Sequence, residues 1–324
     1  MKQSIINLLK ENKEKLITGS FIAKKMNVTR SYINKIISML ITEGYDIKSV
    51  NRSGYIYYSD IRVLNKEKIL SQLDNKHNIV LLEEVDSTNN YAKKIAKDEA
   101  IDDAIIIANS QTFGRGRLGR SFESNKSSGI YMSILLKPTF SLEYAKKITC
   151  LASVADSKAI DKLTGLSSKI KWVNDIYINN KKVSGILTEA STLVEEGKLE
   201  YVVIGIGINT YTQVFSDELI KIATTLENEA QMVISRCDLI VNVINYIDYY
   251  LSHIEENIFM DEYIEKSFVI GNTVELTKYD KKYLVEVVGI SKDGELIIKK
   301  EDGTKEYVSS GEITRLKVNY EQEY

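Results

Sequence analysis

The side chains best suited to chemistry in this chain are three arginines set among glycines at residues 114–120, GRGRLGR. Glycine lets a backbone approach a ligand closely and adopt turns that other residues avoid. Arginine donates paired hydrogen bonds that match a carboxylate or a phosphate. The stretch therefore predicts a loop that covers an anion, with a flexible basic surface loop as the alternative interpretation.

The same letters fit G-x-G-x-x-G, the pattern of dinucleotide-binding turns and of kinase phosphate loops. A dinucleotide turn must open a helix, but here SFESNKSS and then an apolar strand, IYMSILLKP, follow. The catalytic-loop and metal-binding motifs of kinases do not follow either. The sequence thus excludes both interpretations and predicts a loop between two strands.

Other short polar clusters follow or interrupt predicted strands. They are DSTNN at 86–90, KWVND at 171–175, KKVSG at 181–185 and GIGIN at 205–209. A helix cap explains one residue of the first cluster but does not require four in a row, and first-turn amides and hydroxyls also form an anion site. A lysine in a hairpin such as 181–185 is by default simply exposed. Each cluster alone is a weak signal.

Two histidines, His77 and His253, are expected at the solvated surface, and neither belongs to a Cys/His cluster. Their scarcity argues against zinc hydrolysis and histidine-based triads. Cys150 and Cys237 are far apart and are expected to be buried small hydrophobes. Any chemistry must therefore use Lys, Arg, Asp, backbone dipoles or a borrowed ion.

Composition indicates a globular protein of two or three domains, since the chain has 324 residues, 44% of them hydrophobic and 27% charged. Without an apolar run near 20 residues or a secretory segment, we expect a cytoplasmic protein that does not enter a membrane. Residues 1–64 carry 11 Lys/Arg against 5 Asp/Glu, and the rest carries 32 against 40. A basic N-terminal segment attached to an acidic remainder predicts a nucleic-acid-binding module.

The head, residues 1–64, is predicted to be a winged helix-turn-helix. Helix 3–11 precedes a short helix, a turn at Asn27 and a longer helix with apolar positions at helical spacing, and YDIKSVNRSGYIYYS then alternates like a hairpin. The helix-turn-helix spans about 19–38. Polar side chains there and at the hairpin tip are predicted to contact DNA: Thr29, Arg30, Ser31, Asn34, Lys35 and Arg52.

The remainder is predicted to be α+β. Residues 65–268 combine a mixed, largely antiparallel sheet with helices, including one long helix over 142–164 capped by Ser141 and ended by Gly165. Residues 269–324 are β-rich with Asp-Gly turns, which predicts a small meander or SH3-like barrel.

Taken together, DSTNN, QTFGRGRLGR, KWVND, KKVSG and GIGIN, in this order, resemble the biotin protein ligase family. With the winged helix, the resemblance is to its bifunctional ligase and operon-repressor members, and it covers nearly the whole chain. It implies a biotin/lipoate ligase-like central domain and a C-terminal domain that supports catalysis. One departure is Val173, where the family usually has proline; valine restores a backbone N–H and loosens the turn.

The resemblance implies a two-step reaction. Biotin and ATP, with Mg²⁺, give biotinyl-5′-AMP, and a lysine of a biotin carrier protein, as in acetyl-CoA or pyruvate carboxylase, then accepts the biotin. It assigns catalysis to Lys182, Arg117 and Asp175, the last as a Mg²⁺ or acceptor-lysine partner, with no fixed metal site. Biotin would contact Ser87, Thr88, Asn89, Gln111, Arg115, Gly116, Arg117 and Lys182. ATP and the adenylate would contact Arg117, Arg120, Trp172, Asn174, Asp175, Lys182 and Asn209.

The resemblance also implies operator DNA as a partner and a homodimer favoured by biotinyl-AMP. Other interpretations stay open at this point. The chain could be a lipoate or other acyl-protein ligase on the same fold, a biotin sensor that has lost ligase activity, or a ligase whose N-terminal domain no longer binds DNA.

Overall fold

The computed structural model describes residues 1–51, 53–98, 100–138, 140–193, 198–278, 281–300 and 302–317, with the backbone alone described at 315–317. Within these residues the strands form three sheets, of three, seven and five strands. Along the described part of the chain, no helix combines the length and apolar character that a membrane span needs.

The N-terminal sheet and helices form the predicted winged helix-turn-helix. Thr18 caps the second helix by accepting from the Phe21 amide, Asn27 ends that helix in the left-handed conformation, and Thr29 caps the third helix. The strands pair in the order β1-β3-β2. The elements are α1 (Lys2–Glu11), β1 (Leu16–Ile17), α2 (Gly19–Met26), α3 (Arg30–Thr42), β2 (Asp46–Val50) and β3 (Gly54–Ser59).

The central sheet is mixed, in the order β4-β5-β6-β10-β9-β8-β7, with β4 and β5 parallel and the other neighbours antiparallel. Its strands are β4 (Ile79–Leu82), β5 (Ala104–Ala108), β6 (Gly129–Leu136), β7 (Lys169–Lys171), β8 (Asp175–Ile178), β9 (Lys181–Leu193) and β10 (Lys198–Asn209). Its helices are α4 (Lys66–Leu70), α5 (Thr88–Ile95), α6 (Leu142–Ala145), α7 (Ile148–Thr164), α8 (Leu226–Ala230), α9 (Arg236–Ser252) and α10 (Phe259–Lys266).

The two faces of this sheet are covered differently. Helices α7, α9 and α10 bury one face in the main apolar core, whereas α5 covers the other through a smaller cluster around Ala92, Ile106 and Val203. The α5 side carries Gly205 and Gly207, so that face is open enough to leave cavities. The sheet therefore has a packed back and a front suited to a ligand.

The C-terminal strands form an antiparallel sheet in the order β14-β13-β12-β11-β15, which confirms the predicted small β domain. They are β11 (Thr273–Lys278), β12 (Lys281–Ile290), β13 (Leu296–Lys299), β14 (Lys305–Val308) and β15 (Glu312–Lys317). Gly294 and Gly303 have positive φ and make the Asp-Gly turns. Val274 and Leu296 join the main core, and the Trp172 indole donates to Gly294 O at 2.9 Å, so this sheet packs directly on the catalytic domain.

Two sequence-based expectations are wrong in this region. The predicted helix over 142–164 is two helices, α6 and α7, separated by a turn at Lys146 and Lys147. His77 is partly buried rather than fully solvated: its ring is hydrogen-bonded to Asp248 of α9 at 2.8 Å, and that bond raises its pKa. Asp248 is distant from His77 in sequence, so local patterns do not encode this contact.

A buried arginine joins the N-terminal head to the catalytic domain. Arg236, fully buried at the start of α9, donates to Arg62 O at 2.8 Å, to Asn109 Oδ1 at 3.0 Å and to Gly129 O at 3.1 Å. The Arg62 guanidinium lies 4.6 Å from the centroid of the Tyr211 ring. The connecting segment is thus part of the packed catalytic domain.

Candidate active site

A cleft of about 420 Å³ lies on the front of the central sheet. It is walled by stretch 114–120, by the β7–β9 region, by residues 215–223 and by Glu312 to Thr314 of the C-terminal domain. Nine predicted site residues line it: Arg115, Gly116, Arg117, Arg120, Trp172, Asn174, Asp175, Lys182 and Asn209. The structure therefore brings together the cations that the sequence separated by almost 70 residues.

Stretch 114–120 is a short hairpin. Arg115 pairs with Ser121 across it, the Gly116 amide donates to Arg120 O at 2.8 Å, and a 3-10 turn spans Arg117–Gly119. Gly119 has φ +74°, which suits glycine. A side chain at Gly114 would come within 2.3 Å of Phe122 O, so this glycine serves packing within the hairpin and not only approach to a ligand.

Each arginine of the hairpin has a protein partner in this structure. Arg115 donates to Asn90 Oδ1 at 3.0 Å, and Arg117 donates to Asn174 Oδ1 and to Gly311 O, both at 3.2 Å. Arg120 makes a two-pronged ion pair with Glu312. The guanidinium groups are therefore held over the cleft by acceptors that an anionic ligand would replace.

A β-bulge aims Lys182 into the cleft. In the β8–β9 pairing Asp175 lies opposite Gly185 and Ile176 opposite Ser184, but Tyr177 lies opposite Lys182, so Val183 is an extra residue. Directly paired residues share a face of a sheet, and bulges re-aim side chains beside active sites. Lys182 therefore faces the cleft on the side of Asp175, and its Nζ lies 2.6 Å from Asp175 Oδ1.

A second cation, Lys171, stands beside this pair and was not singled out as a site residue from the sequence. Its ammonium lies 5.5 Å from the Tyr177 ring centroid, and burial lowers its pKa although Asp175 opposes that effect. Lys171 is paired with Asp175 across β7 and β8. The signal that could have identified Lys171 was its place in KWVND, next to the predicted site residues.

A smaller pocket of about 30 Å³ opens beside the cleft and shares Arg115, Phe122, Gly185 and Leu187 with it. It is lined by the four other predicted biotin-binding residues: Ser87, Thr88, Asn89 and Gln111. Ser87 makes no side-chain cap bond to α5. Instead Gln111 Oε1 accepts from the Thr88 amide at 2.8 Å, so the cluster at 86–90 is more than a helix cap.

Asn89 is held on the pocket floor by residues that were not predicted from the sequence. Its amide nitrogen donates to Glu189 at 2.8 Å, and its oxygen accepts from Ser133 at 2.6 Å. Burial by itself would raise the pKa of Glu189. Hydrogen bonds from Lys93 and Asn89 outweigh that effect and hold the pKa of Glu189 below its usual value. A lone serine in the apolar strand IYMSILL was the available signal for Ser133. Glu189 had none.

The side of the cleft formed by residues 172–174 and Asn209 is tied to the core. Trp172 is 3% exposed, and Asn174 Nδ2 donates to Ile186 O at 2.7 Å while its oxygen takes the Arg117 bond. Asn209, 5% exposed, ends β10 at the rim. The Val173 carbonyl accepts from the Tyr263 hydroxyl at 2.9 Å, so the turn with valine in place of proline is anchored from behind.

The head presents the predicted polar face. Arg30, Ser31, Asn34 and Lys35 are exposed along α3, and Thr29 is its cap. The Asn34 oxygen accepts from the Tyr55 hydroxyl of the hairpin. Arg52 lies outside the described residues.

The cavities suit a substrate with one hydrogen-bonding end and one anionic end. A small pocket lined by amides, hydroxyls and apolar side chains shares the Arg115 wall with a cleft whose cations could neutralise a carboxylate and a phosphate as they approach. Across the portion of the chain with coordinates, no group of three or more His, Cys, Asp or Glu side chains is placed to hold a metal.

Fold and site together define a biotin/lipoate-type protein ligase attached to a helix-turn-helix. The models that match are the Biotin/lipoate A/B protein ligase family at residues 81–209, an HTH domain at 2–56 and the Biotin protein ligase C terminal domain at 269–315. The chain belongs to the biotin protein ligase family.

Two relatives match nearly the whole chain, and a solved structure matches about three quarters of it. The chain is 30% identical to the bifunctional ligase/repressor BirA of Bacillus spizizenii over 323 residues, covering 96% of this chain and 97% of that protein. It is 27% identical to the BirA of Escherichia coli, covering 92% of each. A solved biotin protein ligase from Aquifex aeolicus in complex with biotin and ATP superposes with TM-score 0.63 and 30% identity, over 74% of this chain and 99% of that one.

Proposed function

We propose that this chain is an ATP-dependent biotin protein ligase that forms biotinyl-5′-AMP and transfers biotin to a lysine of a biotin carrier protein, and that it also represses biotin genes by binding operator DNA. The observation that carries the enzymatic part is the wall that the two cavities share. The amides and hydroxyls of the small pocket suit the ureido ring of biotin, and the adjoining cationic cleft suits a carboxylate that meets the phosphates of ATP.

The first step joins two negative groups, so positioning and charge neutralisation supply most of the catalysis. Ser87, Thr88, Asn89 and Gln111 would orient biotin. Lys182 would leave Asp175 and bind the carboxylate and the α-phosphate, and Arg120 would exchange Glu312 for ATP phosphates. Mg²⁺ is usually held by one or two carboxylates together with substrate phosphates, so the single carboxylate of Asp175 fits a metal that arrives with ATP.

We propose that biotin binding enlarges the smaller pocket, whose volume is only about 30 Å³ against about 420 Å³ for the cleft. Phe122 and Arg115 wall both cavities. We propose that biotin displaces them and that the hairpin then closes, with Arg115, Gly116 and Arg117 over the adenylate.

One incubation tests the enzymatic proposal. The protein is mixed with biotin, ATP-Mg²⁺ and a biotin carrier domain, and the carrier is examined by mass spectrometry for a biotinylated lysine. Parallel reactions contain lipoate or octanoate in place of biotin. Labelling with lipoate alone would favour an acyl-protein ligase, and no labelling in any reaction would contradict the proposal.

We expect Arg117→Gly to release biotinyl-AMP about 10–100-fold faster, because the two charge-assisted hydrogen bonds that Arg117 donates from the hairpin disappear. The dissociation rate of labelled biotinyl-AMP and the biotinylation of a bystander protein measure this leak. A reaction of the wild-type protein without ATP gives the background level of bystander biotinylation. If the variant holds the intermediate as long as wild type does, Arg117 does not retain it.

We expect charge reversal at Arg30 and Lys35 to weaken operator binding and to lower the salt slope of the binding constant by about one for each phosphate that the protein no longer neutralises. Both side chains are exposed on α3. Lys169→Glu, an exposed site on β7 of the catalytic domain, is the matched control. Unchanged affinity and slope would show that α3 does not bind DNA.

We further propose a homodimer that biotinyl-AMP favours. Phe113, Leu118 and Val214 are 72%, 74% and 90% exposed on the two segments that border the cleft, and closing those segments over a ligand would gather apolar surface at one place. A ligand shifts association only if it binds the associating form better. Sedimentation velocity that gives the same association constant with and without biotin and ATP would refute this proposal.

A further inference from the structure

The back of the sheet, directly behind Lys182, contains a buried carboxyl group that the reaction does not use. Asp156 of α7 is fully buried, and its Oδ2 lies 2.5 Å from the Ser184 hydroxyl. The same hydroxyl lies 2.9 Å from Gly207 O. Ser184 occupies the bulged part of β9, where it faces α7 while Lys182 faces the cleft.

Counting protons favours the neutral state of this group. A serine hydroxyl has one proton, and the Gly207 carbonyl can only accept. An ionised Asp156 would leave two acceptors competing for the Ser184 proton. A protonated Asp156 donates to Ser184, which in turn donates to Gly207 O, and both short approaches become hydrogen bonds.

The second oxygen of Asp156 points to the same state. Asp156 Oδ1 is buried and has no hydrogen-bond partner among the described residues. An unsatisfied oxygen of a neutral acid costs far less than an unpaired buried charge. Burial, with the negative charge of Asp161 adding to it, raises the pKa of Asp156 to about 7, although the Ser184 bond opposes this.

The charged groups on the surrounding elements are paired with residues other than Asp156. Asp161 is paired with Lys266 of α10 at 2.6 Å, and Lys158 with Glu262 of α10 at 2.7 Å. Glu262 also accepts from Tyr250 of α9. On β9, Lys182 lies on the opposite face of the sheet and pairs with Asp175.

We propose that Asp156, in its protonated form, is a positioning residue that pins the β9 bulge to β10 and so fixes the direction of Lys182. The hydrogen-bond chain from Asp156 through Ser184 to Gly207 O ties α7, β9 and β10 at one point. Gly207 and Gly185, on the other side of the same strands, line the proposed biotin pocket. The pin therefore holds the proposed catalytic lysine and the pocket floor in register.

The inference rests on the proposed role of Lys182, so its test uses two readouts that do not need activity. The first is hydrogen exchange of the backbone amides at 182–185. The second is thermal stability against pH. Asp156→Asn keeps a neutral donor, whereas Asp156→Leu and Ser184→Ala break the chain. Ser157→Ala is the matched control, since its buried hydroxyl on α7 bonds to Ser168 instead.

We expect Asp156→Leu and Ser184→Ala to accelerate exchange at 182–185 and to lower kcat for biotinyl-AMP formation about tenfold, with KM for biotin within about twofold of wild type, because a small misplacement of a reacting group is costly. Asp156→Asn and Ser157→Ala should match wild type in both. Equal behaviour of Asp156→Leu and wild type would overturn the proposal, as would Asp156→Asn behaving like Asp156→Leu.

Thermal stability measured against pH tests the protonation state of Asp156 independently. The unfolded chain loses the Asp156 proton near pH 4 and the folded chain near pH 7, so wild type loses stability as pH rises through that window. The Tm of Asp156→Asn should therefore rise relative to wild type between pH 5 and pH 8. A constant difference would show that Asp156 is ionised in the fold. If wild type forms no adenylate, the proposed function fails, but the exchange and pH results still decide this inference.

Discussion

Replacing Lys182 by alanine is expected to slow biotinyl-AMP formation by about 10²–10³-fold, the usual cost of losing one donor that stabilises transition-state charge. Its ammonium is the group that the bulge in β9 directs into the cleft, 2.6 Å from Asp175. Without it, the biotin carboxylate and the α-phosphate would meet with less neutralisation, and Asp175 would add a repulsive charge.

The measurement is the single-turnover rate of adenylate formation with saturating biotin and ATP. Lys181→Ala is the matched control, because Lys181 is the adjacent exposed lysine of the same strand and its pairing with Ile178 places it on the opposite face. The circular dichroism spectrum of both variants should match wild type. A rate for Lys182→Ala within about threefold of wild type would remove Lys182 from the mechanism.

Substituting Gly205 by alanine is expected to raise the KM for biotin about 10–100-fold, because a Cβ there would collide with Asn89 on the pocket floor. The added atom would lie 2.2 Å from Asn89 Oδ1 and 2.9 Å from Asn89 Cγ. Asn89 is 4% exposed and fixed by Glu189 and Ser133, so it can yield only by breaking those bonds. A buried polar group left without its partners costs about 1–3 kcal/mol, which corresponds to this weakening of affinity.

Gly289→Ala controls for the general effect of adding a methyl group to a strand glycine. The nearest atom to a Cβ there is Ile297 Cδ1 at 3.6 Å, an ordinary van der Waals separation. Isothermal titration of biotin gives the affinity of each variant directly. If Gly205→Ala binds biotin as Gly289→Ala does, the pocket floor around Asn89 is not the biotin site.

Local physical chemistry accounts for the parts of the fold that were predicted. Thr18 and Thr29 cap helices because their hydroxyls satisfy first-turn amides, and Gly165 ends α7 because it adopts the left-handed conformation. The helix-turn-helix and the position of the hairpin arginines follow from such signals. The order of motifs then identified the central domain.

Interactions between distant residues account for what the sequence did not predict. Ser133 and Glu189 orient Asn89, and Glu312 holds Arg120 from another domain. The direction of Lys182 depends on one extra residue in a strand pairing, which no periodicity reveals.

Arg236 has a consequence for dividing this protein into parts. A chain beginning at residue 65 would lack the Arg62 carbonyl that accepts from the Arg236 guanidinium at 2.8 Å, and the Val63 carbonyl beside Cys237. The buried guanidinium, whose Nη2 already has no partner among the described residues, would then lose one of its three acceptors, and Tyr211 would lose the nearer of the two arginines over its ring. A minimal ligase without the DNA-binding head should therefore retain residues 62–64, since the tether between the two functions is also a piece of the enzyme's interior.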